Sequence, residues 1–328
     1  PKTRAILGLM RLNFLSVSTP HGDIKYAGPT NTFPTVPTVA ADPDRRAIKR
    51  GQWMAEFFKT TTSPAGHGFN LTDAQAGFAC YSFVPKSQLP LKMIVLDNTR
   101  RADDGSADIH GHGFLDQPRW DWLKAELAAG DAAGQLMVIA AHIPLAVDEN
   151  NPPPVLPPGK AQSPMGWWVN PDANAPVQNA VSLPDLVAEL HRHPNLLMWL
   201  AGHRHVNVVK AFVAPQPENS FWQVETPSLR DFPQQFRTFE IYLNSDATLS
   251  IVATDVDPAV QDGTPAAQSR TYAIAATQIV KGLDALEDHN TTGDASIHRM
   301  PGGSYNAELF KTLSPAMTQK LRTLFALS

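Results

Sequence analysis

A chain of 328 residues with 43% hydrophobic content has enough apolar surface for a large core, and it reads as one domain over 1–328. The formal net charge is −4 with acids and bases interspersed, and no Lys/Arg block is present to neutralise a run of phosphates, which argues against a nucleic-acid partner. Cys80 is the single cysteine, which excludes an intramolecular disulfide and Cys-based zinc or redox motifs; no apolar run reaches the roughly eighteen residues of a membrane span.

The apolar patch over residues 5–17 is interrupted by Arg11 and Asn13. Residues 18–43, rich in Pro, Gly and Thr without a regular period, read as a long surface loop. Asp42-Pro43 then opens a helix over 44–59, in which Ile48, Trp53, Met54, Phe57 and Phe58 fall near helical spacing. Short apolar runs at 78–84 and 92–97 have the length of buried strands. A helix over 118–129 follows, with Pro118 in its first turn and Gly130 past its end.

Residues 135–141 form the next strand, 183–193 a helix with Ser182 as N-cap, and 196–201 a further strand. This alternation is that of an α/β layered fold. Beyond Val206 strands come in series, at 207–213, 220–225, 236–243 and 248–254, the last two as a hairpin around Asn244-Ser245-Asp246. Two helical segments, 269–286 and 305–327, make residues 256–328 a helical extension of the domain. The connection over 143–181 carries Pro152-Pro153-Pro154, Pro157-Pro158 and Met165-Gly166-Trp167-Trp168. It is long for a compact domain, and reads either as a substrate lid or as an ordered loop whose tryptophans fill a satellite core.

The residues suited to chemistry lie at two strand ends. One apolar run, Leu136-Met137-Val138-Ile139-Ala140-Ala141, leads into His142-Ile143-Pro144; another, Leu196-Leu197-Met198-Trp199-Leu200-Ala201, leads into Gly202-His203-Arg204-His205. In open α/β sheets the carboxyl ends of strands are where ligands bind, because the loops there vary while the strands hold their roots rigid. Neutral imidazole ligates Zn, Mn, Fe or Ni, and residues at i and i+2 after a glycine can turn toward one centre, with Gly202 letting the backbone approach closely. Any one of the eleven histidines is an ordinary polar residue by default, but three after two buried strands point to ligation. His67 and His112, each in Gly-His-Gly, read as turn residues, and His191 and His193 as helix-end residues favoured by the dipole. Arg204, Arg230 and Arg237 have the fork that suits phosphate oxygens, yet read first as surface charges.

His-x-Pro followed by Gly-His-x-His, each at a strand end, resembles the last two motifs of the calcineurin-like metallophosphoesterases. Val95-Leu96-Asp97-Asn98-Thr99 resembles that family's Leu-Asp-Thr strand end. Gly113-Phe114-Leu115-Asp116 through Trp120-Asp121-Trp122-Leu123 resembles its helix entry, and Glu225-Thr226-Pro227-Ser228 its closing strand. The resemblance covers residues 75–255. It implies an α/β fold, a two-sheet sandwich flanked by helices, in which two divalent ions (Mn, Fe, Zn or Co) share a bridging hydroxide that attacks a small phosphate ester. Carried over by motif, His142 and His203 would bind the second metal and His205 the first.

The family's opening motifs are not matched. No Gly-Asn-His occurs; Gly22-Asp23, Gly130-Asp131 and Gly293-Asp294 precede none, and Asp108-Ile109-His110 lies in a polar stretch with no strand leading into it. The expectation is therefore the C-terminal two-thirds of a metal-dependent hydrolase of phosphate esters, its fold incomplete at the N-terminal side. An exposed sheet edge or groove should then lie beside the strands ending at His142 and Gly202, and this chain alone should turn over poorly. Its catalytic and substrate-binding residues are unassigned, and a separate or missing N-terminal segment would supply the rest. A different class of reading is a non-catalytic module that binds a partner, or one structural metal, through the three histidines. Compartment is open: the chain reads as soluble, and since it begins at Pro1, an exported bacterial protein is among the expectations.

Overall fold

The computed structural model describes residues 14–18, 24–29, 48–100, 112–146, 168–169, 171–175, 177–203, 205, 207–230, 234–246, 248–286 and 306–325. Their frame is a six-stranded sheet built from β3 (Tyr81–Phe83), β4 (Leu91–Leu96), β5 (Leu136–Ala141), β6 (Leu196–Ala201), β7 (Val208–Phe212) and β8 (Phe221–Glu225), in the order β3-β4-β5-β6-β8-β7. The four central strands β4, β5, β6 and β8 run parallel, and β3 and β7 close the two sides antiparallel. Parallel strands are covered on both faces, which is why β5 and β6 read as continuous apolar runs. The open edge expected beside the strands ending at His142 and Gly202 is not there. Each of those strands is paired on both sides, β5 by β4 and β6, and β6 by β5 and β8.

Alternation along β5 sorts its side chains between two cores. Met137 and Ile139 join Ile94, Leu96 and Trp199 on one face, under α3 (Gln117–Ala132) and α4 (Leu183–Leu190), which contribute Leu123, Leu127, Leu186 and Leu190. Leu136 and Val138 face the other way with Leu197, Met198 and Val224, against a second sheet. That sheet comprises β9 (Phe236–Leu243), β10 (Thr248–Val256) and β11 (Ala307–Thr312) in the order β11-β10-β9, and it supplies Leu249, Ile251 and Leu309 to this core. The architecture is thus mixed α/β, with two packed sheets flanked by helices. The expected hairpin is present, with Leu243 opposite Leu249 and the Asn244 N–H donating to the Thr248 carbonyl at 2.9 Å.

Three stretches differ from the sequence reading. Residues 24–29, placed in a loop by composition, form β2 (Ile24–Pro29), antiparallel to β1 (Phe14–Ser18). The helix expected over 269–286 is present as α5 (Pro265–Leu286), but the one expected over 305–327 is β11 followed by α6 (Pro315–Leu324). Glu308 and Phe310 of β11 point outward and Leu309 and Lys311 inward, a strand alternation, and Ser314 then caps α6 by accepting the Met317 N–H at 3.2 Å. Gly130 lies inside α3 rather than past its end, because a Cβ there would sit 2.2 Å from Met137 Sδ: the glycine lets helix and strand touch. The residue that leaves the helix is Gly134, at φ +59.

Residues 48–59 of the helix expected over 44–59 are described, and they are helical only over α1 (Arg50–Glu56), with Met54 buried but Ile48 and Trp53 exposed. Ahead of β3, α2 (Leu71–Ala76) is capped by Asn70, which accepts the Asp73 N–H at 2.8 Å. Most of the 143–181 connection, including Trp167, lies outside the described residues, so the lid reading does too. Trp168 belongs to the main core beneath α3 and α4 rather than to a satellite. Its indole N–H donates to the Val181 carbonyl at 3.1 Å, and its ring packs directly against Gly113. Among the described residues no helix is long and apolar enough to cross a membrane.

Two measurements test this packing. A Cβ on Gly113 would lie 2.2 Å from the Trp168 ring, so Gly113→Ala overpacks the core and should lower unfolding stability by about 2 kcal/mol in urea titrations. The second concerns Lys311, whose ammonium is buried between the two sheets and donates to the carbonyls of Glu218 at 2.5 Å and Ser220 at 2.7 Å. Burial pulls its pKa down from 10.5 to about 8, against the opposing pull of Glu218 and Asp131. The unfolded chain therefore holds this proton more tightly, and stability rises with pH between about 8 and about 10.5. Relative to Lys311→Met, the parent should gain about 3 kcal/mol across that window, as read from denaturation midpoints at its two ends.

Candidate functional site

Parallel pairing carries the C-terminal ends of β4, β5, β6 and β8 to a single edge of the sheet. Asp97 and Asn98 follow β4, His142 and Ile143 follow β5, Gly202, His203 and His205 follow β6, and Glu225 ends β8. Across this edge His142 Nε2 and His203 Nδ1 stand 3.1 Å apart, although 61 residues separate them in sequence. The rings meet edge-to-face, with centroids 5.0 Å apart and planes at 80°. One ring nitrogen donates and the other accepts, so at least one imidazole is neutral in this contact.

His142 reaches the surface, yet the atoms crowded round its ring strip enough water to push its pKa below the usual histidine value. Nearby His205 pushes the same way, and Asp97 opposes both. All three groups therefore share one electrostatic neighbourhood. His203 and His205 both adopt left-handed backbone, at φ +70 and +57. Each such residue costs about 1 kcal/mol or more, a strain that persists only where the surroundings impose it. Gly202 does not play the part expected of it. Its φ is ordinary, and a Cβ added there would meet only His142 Nδ1, at 4.0 Å. What Gly202 contributes is its N–H, donated to the His142 carbonyl at 3.0 Å.

The turns bearing the histidines are held by buried polar side chains. Asn98, fully buried, brackets Ile143, its Oδ1 accepting the Ile143 N–H at 3.0 Å and its Nδ2 donating to the Ile143 carbonyl at 2.8 Å. Trp199 Nε1 donates to that same carbonyl at 3.2 Å. Gln223 Oε1 accepts the N–H groups of Leu145 and Ala146, and its Nε2 donates to the Ala146 carbonyl at 2.8 Å. Beyond His205, Asn207 accepts from Arg237 at 3.0 Å and donates to Gln235 at 3.1 Å.

Arg237 is therefore neither a surface charge nor a phosphate contact. Its guanidinium is buried and binds both oxygens of Asp255, at 2.6 and 3.0 Å. Asp97 is likewise committed. Burial pushes its pKa up, but Arg119 and Arg50, with two hydrogen bonds from Thr99, outweigh this and hold the carboxyl below the usual range. Arg119, fully buried, also donates to the carbonyls of Asp97 and Thr99 and to the N-cap carboxylate of Asp116.

The other sequence candidates fall elsewhere. His67, at φ +53 in a 3-10 turn, lies within 2.9 Å of the Thr60 hydroxyl and 2.8 Å of the Thr62 hydroxyl, as a turn residue should. His191 stands at the C-cap of α4 and faces the Asn219 carbonyl at 3.0 Å, and His193, just beyond it, pairs with Asp131 at 2.6 Å, so both lie at the helix end as expected and also tie it to its neighbours. Arg230 is exposed, and Arg204, Asp108 and His110 lie outside the described residues. Asn98, Gln223 and Glu225 are the residues of this edge that sequence reasoning gave no role of their own. The available signal was Asn98's position, a polar residue just past a buried strand, as His142 is.

Two nitrogens bound to one tetrahedral ion through bonds of about 2.0 Å stand about 3.3 Å apart, so the His142–His203 pair has the spacing of two adjacent ligands. Among the described residues no group of three or more His, Cys, Asp or Glu is placed to hold a metal ion.

No protein-family model and no curated protein matches the chain. Among solved structures it is similar to a dimetal phosphatase from Danio rerio, with a TM-score of 0.39 and 14% sequence identity. The match covers 63% of this chain and 65% of that one, less than two thirds of the phosphatase chain. A likeness this distant assigns neither a fold family nor an activity.

Proposed function

We propose that the edge formed by the ends of β5 and β6 is a divalent-metal site serving phosphate-ester hydrolysis, with His142 and His203 as its paired ligands and His205 beside them. The observation that carries this is the 3.1 Å approach of two imidazole nitrogens from different strands, one of them on strained backbone. Strain of this kind gathers where geometry serves binding. The resemblance of His-x-Pro and Gly-His-x-His to the metallophosphoesterase motifs supplies the substrate class. Histidine donors suit Mn, Fe, Zn or Co. Such an ion would supply Lewis-acid polarisation of the ester phosphate and of water. The chain's own part is to hold two imidazoles at ligand spacing, and the crowding round His142 favours its neutral, ligating form.

A second reading is favoured by one specific observation: the described residues place no third ligand and no bridging carboxylate with the pair. On that reading the histidines bind a single ion, structurally or for a partner, without turnover.

Cobalt(II) titration followed by visible absorption tests the site. The parent should bind, and His142→Ala and His203→Ala should each lose at least tenfold in affinity. Gly202→Ala should leave affinity unchanged, since its Cβ has room. Affinity equal to the parent's in both histidine variants would remove the pair from metal binding. Hydrolysis of p-nitrophenyl phosphate by the loaded parent then separates the readings: turnover abolished by His203→Ala supports the hydrolase, and binding without turnover supports the single-ion module.

A further inference from the structure

We propose that Asn98 is a positioning residue for His142. This rests on the functional reading above, with Asn98 acting through the backbone and touching neither ion nor substrate. Its carboxamide spends both polar ends on the residue immediately after His142, so that β4 grips the end of β5 by a side chain where strand pairing has stopped. His142 is then fixed from two sides, its own carbonyl by the Gly202 N–H at 3.0 Å and the following peptide by Asn98. The Asn98 carbonyl in turn accepts the Phe114 N–H at 2.9 Å, which roots the bracket in the entry to α3. The preceding residue, Asp97, is held by Arg50 and Arg119.

Space-filling alone does not account for this residue. A buried carboxamide has its dehydration to offset, which an apolar side chain would not, and here both of its hydrogen bonds go to one peptide beside a candidate ligand. The leverage explains why such a bracket matters. A backbone rotation of about 15° at His142 would carry its ring nitrogen about 1 Å, beyond the roughly 0.5 Å tolerance of a productive site.

Asn179 provides the matched control. It is also a buried asparagine bridging backbone groups, accepting the Leu115 N–H at 2.9 Å and donating to the Val181 carbonyl at 2.7 Å, with none of these bonds made to the histidine turns. Asn98→Ala, the isosteric Asn98→Asp and Asn179→Ala, each in the 328-residue chain, would be compared by thermal unfolding, by cobalt(II) titration and by the ring-nitrogen NMR signals of His142 and His203 without metal. Both Asn98 variants should weaken cobalt binding about 10- to 100-fold and shift the two ring signals. Asn179→Ala should lower the melting temperature while leaving affinity and ring signals in place. Should Asn98→Ala fail to fold, Asn98→Asp decides, since it keeps volume and the acceptor for Ile143. Unchanged affinity and ring signals in the folded Asn98 variants, or equal changes in Asn179→Ala, would overturn the proposal. A parent that binds no cobalt refutes the metal reading instead, and the metal-free ring signals still decide whether Asn98 sets His142.

Discussion

Everything at the candidate site depends on the parallel pairing of β4, β5, β6 and β8. A parallel ladder points all its carboxyl ends the same way, so residues remote in sequence arrive at one edge without needing to attract one another. The pairing is stable because both faces are dry: Ile139 and Trp199 pack beneath helices, and Val138 and Met198 against the second sheet. With the strands held from both sides, the one place where the backbone is free to carry unusual geometry is where pairing ends. His203 and His205 take left-handed conformations there.

Order continues past the strand ends because buried polar side chains replace the missing ladder bonds. Asn98 and Gln223 satisfy backbone groups in the turn after β5, and Asn207, in the turn after β6, binds Gln235 and Arg237 at the start of β9. Each is in turn fixed by its own strand or by a charged partner such as Arg237. Burying such groups is favourable only when every polar atom finds a partner, so the clamps tolerate little displacement. The same logic explains Asp97: two arginines and Thr99 leave it an anchor for the end of β4.

The two sheets are joined by more than apolar contact. Trp222 of β8 donates its indole N–H to the Phe310 carbonyl of β11 at 2.8 Å, and Lys311 of β11 bonds the carbonyls of Glu218 and Ser220 just before β8. These polar ties fix the register of one sheet over the other, at the cost of an ammonium whose pKa burial has lowered to about 8. The strand they anchor, β8, carries Glu225 to the site edge at its far end.

The sequence by itself determined the buried strands, since a run such as Leu136–Ala141 or Leu196–Ala201 has too little polarity to be anything but core. It also placed His142 and His203 at the ends of those strands, because position along a strand is a local property. The tail was not legible in the same way. In β11, Glu308 and Lys311 imitate a helix face, and only carbonyls supplied from some ninety residues away make the burial of Lys311 possible. Nor could composition separate Gly130, which exists for contact with Met137, from Gly134, which ends the helix, or distinguish buried Arg237 from a surface charge. What only the tertiary structure decided was proximity: that His142 meets His203, and that Asn98 grips Ile143. Strand order sets which distant residues become neighbours, and strand order is fixed by packing summed over the whole chain rather than by any segment of it.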